Sequence, residues 1–196
     1  GTVGVVLSGE PPTWNYMTVG FAEGLQAANP DANLLYSVIG EAAYDDAAGA
    51  KRVTEQQIAN GADIIFGMGD GASFGMLQAI EEHNADNPDN KVWFIDVIGD
   101  KTAEHGDALL TSILFDYTGV YNSMIDDLQA GTFGEVYTMD VANGGVRLLD
   151  LPDAVPQEVQ DAVAQAQEQI VGGEITVSAV ADAGEMRTRI DELFPS

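Results

Sequence analysis

Short apolar runs alternate along this chain with amphipathic stretches of helical period, which predicts an α/β protein with a largely parallel sheet. Two further observations point the same way. Each apolar run is nearly continuous, as in strands covered on both faces, and the connections between elements are short. A length of 196 residues fits one domain or two small lobes, and 45% apolar residues are enough for a core.

The elements follow in order. Residues 2–7 read as the first strand. Met17, Phe21, Leu25 and Ala28 then fall at i, i+4, i+8 and i+11, one face of a helix. A second strand spans 33–39. Asp45 or Asp46 caps a helix that runs through Ala59 and stops at Asn60–Gly61. The third strand, 63–68, leads into a helix from about Ala72 to His83, followed by a polar loop over 84–90. Strands at 91–97, with Trp93 in the core, and at 109–115 complete the regular register, which ends near residue 116.

Beyond it, Val120, Met124 and Leu128 give a helix that ends at Gly131. Segments 135–140 and 145–149 predict a short hairpin around Asn143–Gly144, a dipeptide suited to tight hairpin turns. Pro156 fits the first position of a helix with Val159, Val163, Ala166 and Ile170 on its apolar face, closed by Gly172–Gly173. A last helix covers roughly 182–193, ahead of Pro195.

Charge excludes several function classes. There are 32 acidic side chains against 7 basic ones, a net charge of -25. Three lysines and four arginines scattered over the chain cannot form the basic stripe a nucleic-acid binder needs, so no nucleic acid is expected as a partner. The acids are dispersed, with nothing longer than pairs such as Asp45–Asp46. That pattern fits a carboxylate-covered surface adapted to molar salt, hence a halophilic source, better than an acidic binding tail. The absence of cysteine excludes disulfides, cysteine-ligated zinc, thiol catalysis and a lipidated Cys on this chain. No apolar run approaches the ~18 residues that span a bilayer. The opening Gly1-Thr2-Val3-Gly4-Val5-Val6 reads as a core strand and not as a signal peptide.

In a right-handed parallel sheet the loops after the strands emerge on one edge, where ligands bind. Those loops carry Glu10, Trp14, Asn15, Asp70, Ser73, Asp96, Asp100 and Asp116. The stretch Gly67-Met68-Gly69-Asp70-Gly71 through Gly75 has neither the dinucleotide spacing nor the P-loop lysine. It is either a tight strand-to-helix turn or a set of amide donors exposed at a helix start. Several acids on one edge disfavour an anionic ligand and suit a neutral, hydroxyl-rich one, because a carboxylate accepts paired hydrogen bonds from a diol. Asp96 stands out, since it ends a strongly apolar strand. Asp96 and Asp100 lack the dense oxygen spacing of a calcium loop, and neither a metal nor a cofactor is implied. His83 and His105 read as surface residues. No nucleophile elbow or zinc-hydrolase motif is present, so the chain reads as non-catalytic. Trp14, Tyr16 and Met17 can stack on a planar ligand. Met17 shares its helix's apolar face, which leaves Trp14 as the better exposed of the two.

As a set, several segments resemble one family. They are Asn15 through Gly24, the Asn29-Pro30-Asp31 turn, Asp45 through Lys51, Gln56-Gln57, Asn60 through Phe66, the glycine loop, Phe94-Ile95-Asp96 and Leu110 through Leu114. Tyr121, Gly131-Thr132-Phe133, Val155-Pro156, Ile170-Val171 and Gly173-Glu174-Ile175 continue the order. Together they resemble the basic membrane protein (BMP) family of substrate-binding lipoproteins that serve ABC importers.

The resemblance implies a type I periplasmic-binding fold, a Rossmann-like parallel sheet flanked by helices in two lobes that close on a solute, a nucleoside in the best-understood members. It makes residues 1–112 the second lobe and 113–196 hinge crossings with returning helices and short strands of the first. The missing N-terminal lobe, with its lipidated Cys, would be a partner outside this chain, as would the ABC permease subunits. Either the chain is a fragment or that half is a separate product. The location implied is extracellular, anchored through that lipid.

Residue by residue, Asp96 matches the aspartate that takes the ribose hydroxyls, and Gly71 matches backbone lining the ribose. Met17 falls at the base-stacking position, with Trp14 or Tyr16 as substitutes, and Phe115 stands where the family carries a ribose-binding lysine. The ligand-binding set is therefore Asp96, Gly71, Trp14, Asn15, Met17, Asp70 and Phe115. Two rival readings are the ligand-sensing domain of a regulator and a small Mg-dependent α/β enzyme built on Asp70, Asp96 and Asp100.

Overall fold

The computed structural model describes residues 1–195 and divides into two compact units. The first comprises Gly1–Asp96, Lys101–Leu110 and the chain from Val177 onward; the second comprises Val97–Asp100 and Thr111–Thr176.

In the first unit, strands β1 (Thr2–Leu7), β2 (Asn33–Val38), β3 (Ala62–Met68) and the part of β4 (Trp93–Ile98) up to Asp96 are all parallel, with β1 between β2 and β3 and β4 beyond β3. Helices α1 (Pro12–Ala28), α2 (Ala47–Ala59) and α3 (Ser73–Asp86) connect them, followed by the single turn α4 (Thr102–His105). The core lies where these helices meet the sheet: Val5, Val6, Leu7, Ile65, Phe66, Phe94, Met76, Leu77 and Ile80 are wholly buried. Each such side chain contributes roughly 1.5–3 kcal/mol by leaving water. β2, an edge strand, departs from the expected two-sided cover, since all its residues after Leu34 are only half-buried.

Local signals set most helix ends. The Asp46 carboxylate accepts from the Gly49 amide (2.8 Å) to cap α2, as its sequence position predicts. Asp182 caps α7 (Ala183–Leu193) through Gly184 and Glu185 (2.8 and 2.9 Å). α3 runs three residues past the expected His83, because the Asn84 side chain pairs with both backbone groups of Val92 and keeps that turn helical.

The predicted face of α1 is corrected. The buried side chains are Trp14, Asn15, Thr18, Val19 and Ala22, whereas Met17, Phe21 and Leu25 flank them half-buried and Ala28 is exposed. Small residues toward the sheet let the helix approach it closely. Phe21 then packs from the border against Phe66, ring centroids 4.7 Å apart. Trp93 is likewise half-buried and not core, with the Lys91 ammonium 6.0 Å over its ring. α7 packs on α1 through buried Met186 and Ile190 and through Arg189, whose guanidinium meets the Glu23 carboxylate at 3.0 Å. Burial acts to raise the Glu23 pKa, but hydrogen bonds from Ser178 and Arg189 outweigh it, so the carboxyl sits below its ordinary range.

Of the 32 acids, Asp96 alone is buried among the described residues. The others are half-buried or exposed.

In the second unit, the later part of β5 (Leu109–Phe115) pairs antiparallel with β6 (Val146–Leu148), matching Phe115 to Val146. The expected hairpin does not form, because residues 135–140 make no strand. Asn143 supplies the reason: its amide donates to the Thr138 carbonyl (2.8 Å), and its oxygen accepts from the Asp140 and Gly145 amides (3.1 and 2.9 Å). These local bonds satisfy backbone groups that a ladder would have used. α5 (Thr118–Ala130) ends at Gly131 in the left-handed region (φ 76°), as predicted. It leaves Tyr117, Tyr121, Ile125 and Leu128 exposed along one stripe. α6 (Gln157–Val171) starts one residue later than expected, with Pro156 as its N-cap, and buries no side chain.

Candidate functional site

The C-terminal ends of the parallel strands in the first unit bring three loops together. After β1, the Ser8 amide donates to the Met68 carbonyl at the end of β3 (3.0 Å), and the Ser8 carbonyl accepts from Ala43 beyond β2 (2.6 Å). Glu10 is committed to structure: both its oxygens accept from Arg187 of α7 (2.8 Å each), and one accepts from the Tyr36 hydroxyl (2.7 Å). Burial and this bond to Glu10 push the Tyr36 phenol well above its ordinary pKa.

Trp14 is buried, which corrects the expectation that it would be the exposed aromatic. It lies edge-on to Tyr44 with centroids 5.4 Å apart, under the loop between β2 and α2. Asn15 is buried beside it, its amide donating to the carbonyls of Glu10 (3.0 Å) and Ala181 (2.7 Å). Met17 is half-buried. Tyr16 is 41% exposed.

The glycine loop is a tight turn followed by a 3-10 turn over Asp70–Ala72. A Cβ on Gly71 would come within 2.6 Å of Asp45 Oδ1 and 3.2 Å of the Tyr44 carbonyl. The glycine is thus required by the neighbouring loop, whose Tyr44 carbonyl also accepts from Ala72 (2.7 Å). Asp70 is exposed with φ 49°. The non-glycine residues with positive φ among the described residues are Ala42, Asp70 and Ile98, each at or just beyond the C-terminal end of a parallel strand. Backbone held in such sparse regions gathers at functional edges. Ser8 Oγ, Asn15 Oδ1 and Ser73 Oγ, from the same loops and helix starts, are buried without hydrogen-bond partners.

Asp96, in β4, is fully buried. The Lys101 ammonium pairs with its Oδ2. The same ammonium stands 5.6 Å over the ring of Phe74, the second residue of α3, which is 53% exposed. Phe74 in turn lies 6.2 Å from the His105 ring, and His105 Nδ1 meets Glu81 at 2.7 Å. His105 and His83 are half-buried, not fully on the surface, and both have polar partners. Sequence reasoning named Asp96 but missed Lys101 and Phe74. The one available signal was Lys101's place in the post-strand loop, five residues after a buried acid. Phe115, the last residue of β5 in the second unit, is half-buried and pairs with Val146.

The structure therefore gathers Trp14, Asn15, Asp70 and Gly71 around the β1 and β3 loops, and it sets Asp96 with Lys101 and Phe74. No group of three acids and histidines suited to a metal ion occurs among the described residues. No helix is long and apolar enough to cross a membrane.

Comparison with known families decides the affiliation. The profile of a family described as "ABC transporter substrate-binding protein PnrA-like" matches residues 1–180. The chain belongs to this Bmp family. Among curated proteins it is 28% identical over 170 residues to the ABC transporter nucleoside-binding protein BmpA of Lactococcus lactis, covering 81% of this chain and 47% of that one. Among solved structures, an ABC transporter solute-binding protein from Aeropyrum pernix K1 superposes with a TM-score of 0.78 at 19% identity, covering 98% of this chain and 61% of that one. Another, from Conexibacter woesei, gives 0.72 at 25% identity over 92% and 58%. These likenesses bear out the α/β class with a mostly parallel sheet and the solute-binding-protein fold. The chain spans about half the length of the curated Bmp relative and about three-fifths of the structural ones.

Proposed function

We propose that this chain is the solute-binding part of an ABC importer receptor and holds a nucleoside at the C-terminal edge of its parallel sheet. The observation that carries this is the single buried carboxylate, Asp96, placed on that edge with a lysine bound to it. A buried ion pair is costly to build, and retention at a ligand edge suits a polar anchor for hydroxyls. The nucleoside class is supported by the printed function of the Lactococcus relative.

In this reading the protein performs no turnover. Residues 1–112 form the second lobe, 113–196 carry hinge crossings and returning segments, and solute shifts the lobes toward a closed form that permease subunits recognise. The first lobe and a lipid anchor on an extracellular face belong to polypeptide outside this sequence. The acid excess is an adaptation to molar salt. Within the first unit, Asp96, Gly71, Asn15 and Asp70 lie toward the solute's polar side, with Met17 at its planar ring. Trp14 supports them from beneath.

Titration calorimetry of the 196-residue chain against ribonucleosides, deoxyribonucleosides and free pentoses tests the reading. Heat is expected with ribonucleosides and is lost in Asp96→Asn with the fold retained. No heat with any nucleoside, or equal heat from the variant, overturns it.

A further inference from the structure

The chain carries four arginines, and two of them, Arg187 and Arg189, stand on the 11-residue helix α7. Their spacing determines where they point. Met186 and Ile190 lie four residues apart and form the buried stripe of α7. Arg187 and Arg189 fall on its two flanks, each about 100° of helix turn from the stripe. Both find acids of one element: Arg189 meets Glu23 within α1, and Arg187 meets Glu10 in the loop that leads into α1.

The two contacts fix different things. Glu23 lies about two turns beyond Asn15, well along the helix. Glu10 lies before the first turn, where the chain leaves β1 for the solute edge. Both oxygens of Glu10 accept from Arg187 Nη1 at 2.8 Å, and Oε1 also accepts from the Tyr36 hydroxyl of β2 at 2.7 Å. A second tie runs beside this one: the buried Asn15 amide donates to the Ala181 carbonyl, just ahead of α7, at 2.7 Å. These partners are 177 and 166 residues away along the chain, so the anchoring exists only when α7 is docked. The Arg187 side chain is 53% exposed, and exposed ion pairs add little to global stability. The weight of the contact therefore falls on where the loop stands.

We infer that Arg187 is a positioning residue for solute binding, which makes α7 a strap on the loop that carries Trp14, Asn15 and Met17. It acts through Glu10, and neither side chain touches the solute. With the strap in place the start of α1 is ordered before solute arrives, and binding does not bear that cost. Arg189, on the same helix, has no such role.

This inference rests on the solute-binding reading above, and the test separates the two. Arg187→Gln and Arg189→Gln are compared with the parent at fixed molar KCl, all in a Trp93→Phe background that leaves Trp14 as the sole tryptophan. Without solute, Trp14 emission moves to the red and acrylamide quenching rises in Arg187→Gln, while Arg189→Gln keeps parent values. In calorimetry, Arg187→Gln weakens ribonucleoside binding by about fivefold, the scale of an ordering cost moved into the binding step. Arg189→Gln binds as the parent does. Glu10→Gln and Glu10→Gln/Arg187→Gln show the same loss as Arg187→Gln, because each removes one shared contact. Thermal midpoints within a few degrees of the parent show that the variants fold.

A parent chain that binds no nucleoside overturns the solute reading and this inference with it. A parent that binds, with Arg187→Gln equal to it in affinity or in Trp14 emission, or with Arg189→Gln losing as much, overturns the inference alone.

Discussion

Lys101→Met should lower the thermal midpoint by roughly 6–20 °C, from about 3–5 kcal/mol for a broken buried ion pair at about 2–4 °C per kcal/mol in a chain of this size. The direction follows from which partner is left. Asp96 is wholly buried, so removing the ammonium takes a charged partner from a carboxylate held away from water. Asp96→Asn in the Lys101→Met background removes that charge and should recover most of the loss. Lys51→Met provides the contrast. Its pair with Glu82 lies on the exposed surface, and water replaces the lost partner at little cost. Differential scanning calorimetry at fixed salt measures all three. If Lys101→Met melts with the parent, or the double variant does no better than the single, the pair is not the charged anchor described above.

The second large effect is in salt. Of seven basic side chains, Lys51, Lys101, Arg187 and Arg189 are already paired, and 31 of 32 acids are half-buried or exposed. The folded surface therefore repels itself, and compaction concentrates the charge relative to the unfolded chain. Screening contracts from about 10 Å at 0.1 M salt to about 3 Å at 1 M, shorter than most spacings between surface carboxylates. The thermal midpoint should rise by on the order of 10 °C between 0.1 M and 2 M KCl. Sucrose at matched osmolality should not reproduce the whole rise, because it is excluded from the surface but does not screen charge. A midpoint that stays flat or falls with KCl contradicts the adaptation reading.

Much of the first unit was legible because its signals are local. β1 begins and ends where its apolar run does, and Asp46, Asp182 and Gly131 end helices through bonds within a few residues. Asp96 was legible for a related reason: an acid that ends the apolar run Trp93-Phe94-Ile95 has to be explained. What failed depended on distant partners. The phase of α1 is set by the sheet and by α7, which arrives more than 150 residues later, so period alone chose Met17 over Trp14. The hairpin failed because one side chain, Asn143, outcompeted a ladder. Phe74 was hidden by its neighbours, since an apolar residue near Met76, Leu77 and Ile80 reads as core until the structure shows its ring half open. Lys101 acquires meaning only once Asp96 is known to be buried.

The central claim is that a nucleoside-like solute binds at the C-terminal edge of the first unit's parallel strands. Amide chemical-shift mapping of the ¹⁵N-labelled chain, titrated with a ribonucleoside panel in molar KCl, tests it most directly. The account predicts saturable shifts concentrated in residues 8–15 and 69–74 and at Asp96 and Lys101. Saturating additions that leave those residues unmoved, or that perturb only the opposite edge at 29–33, 60–62 and 87–92, would contradict it.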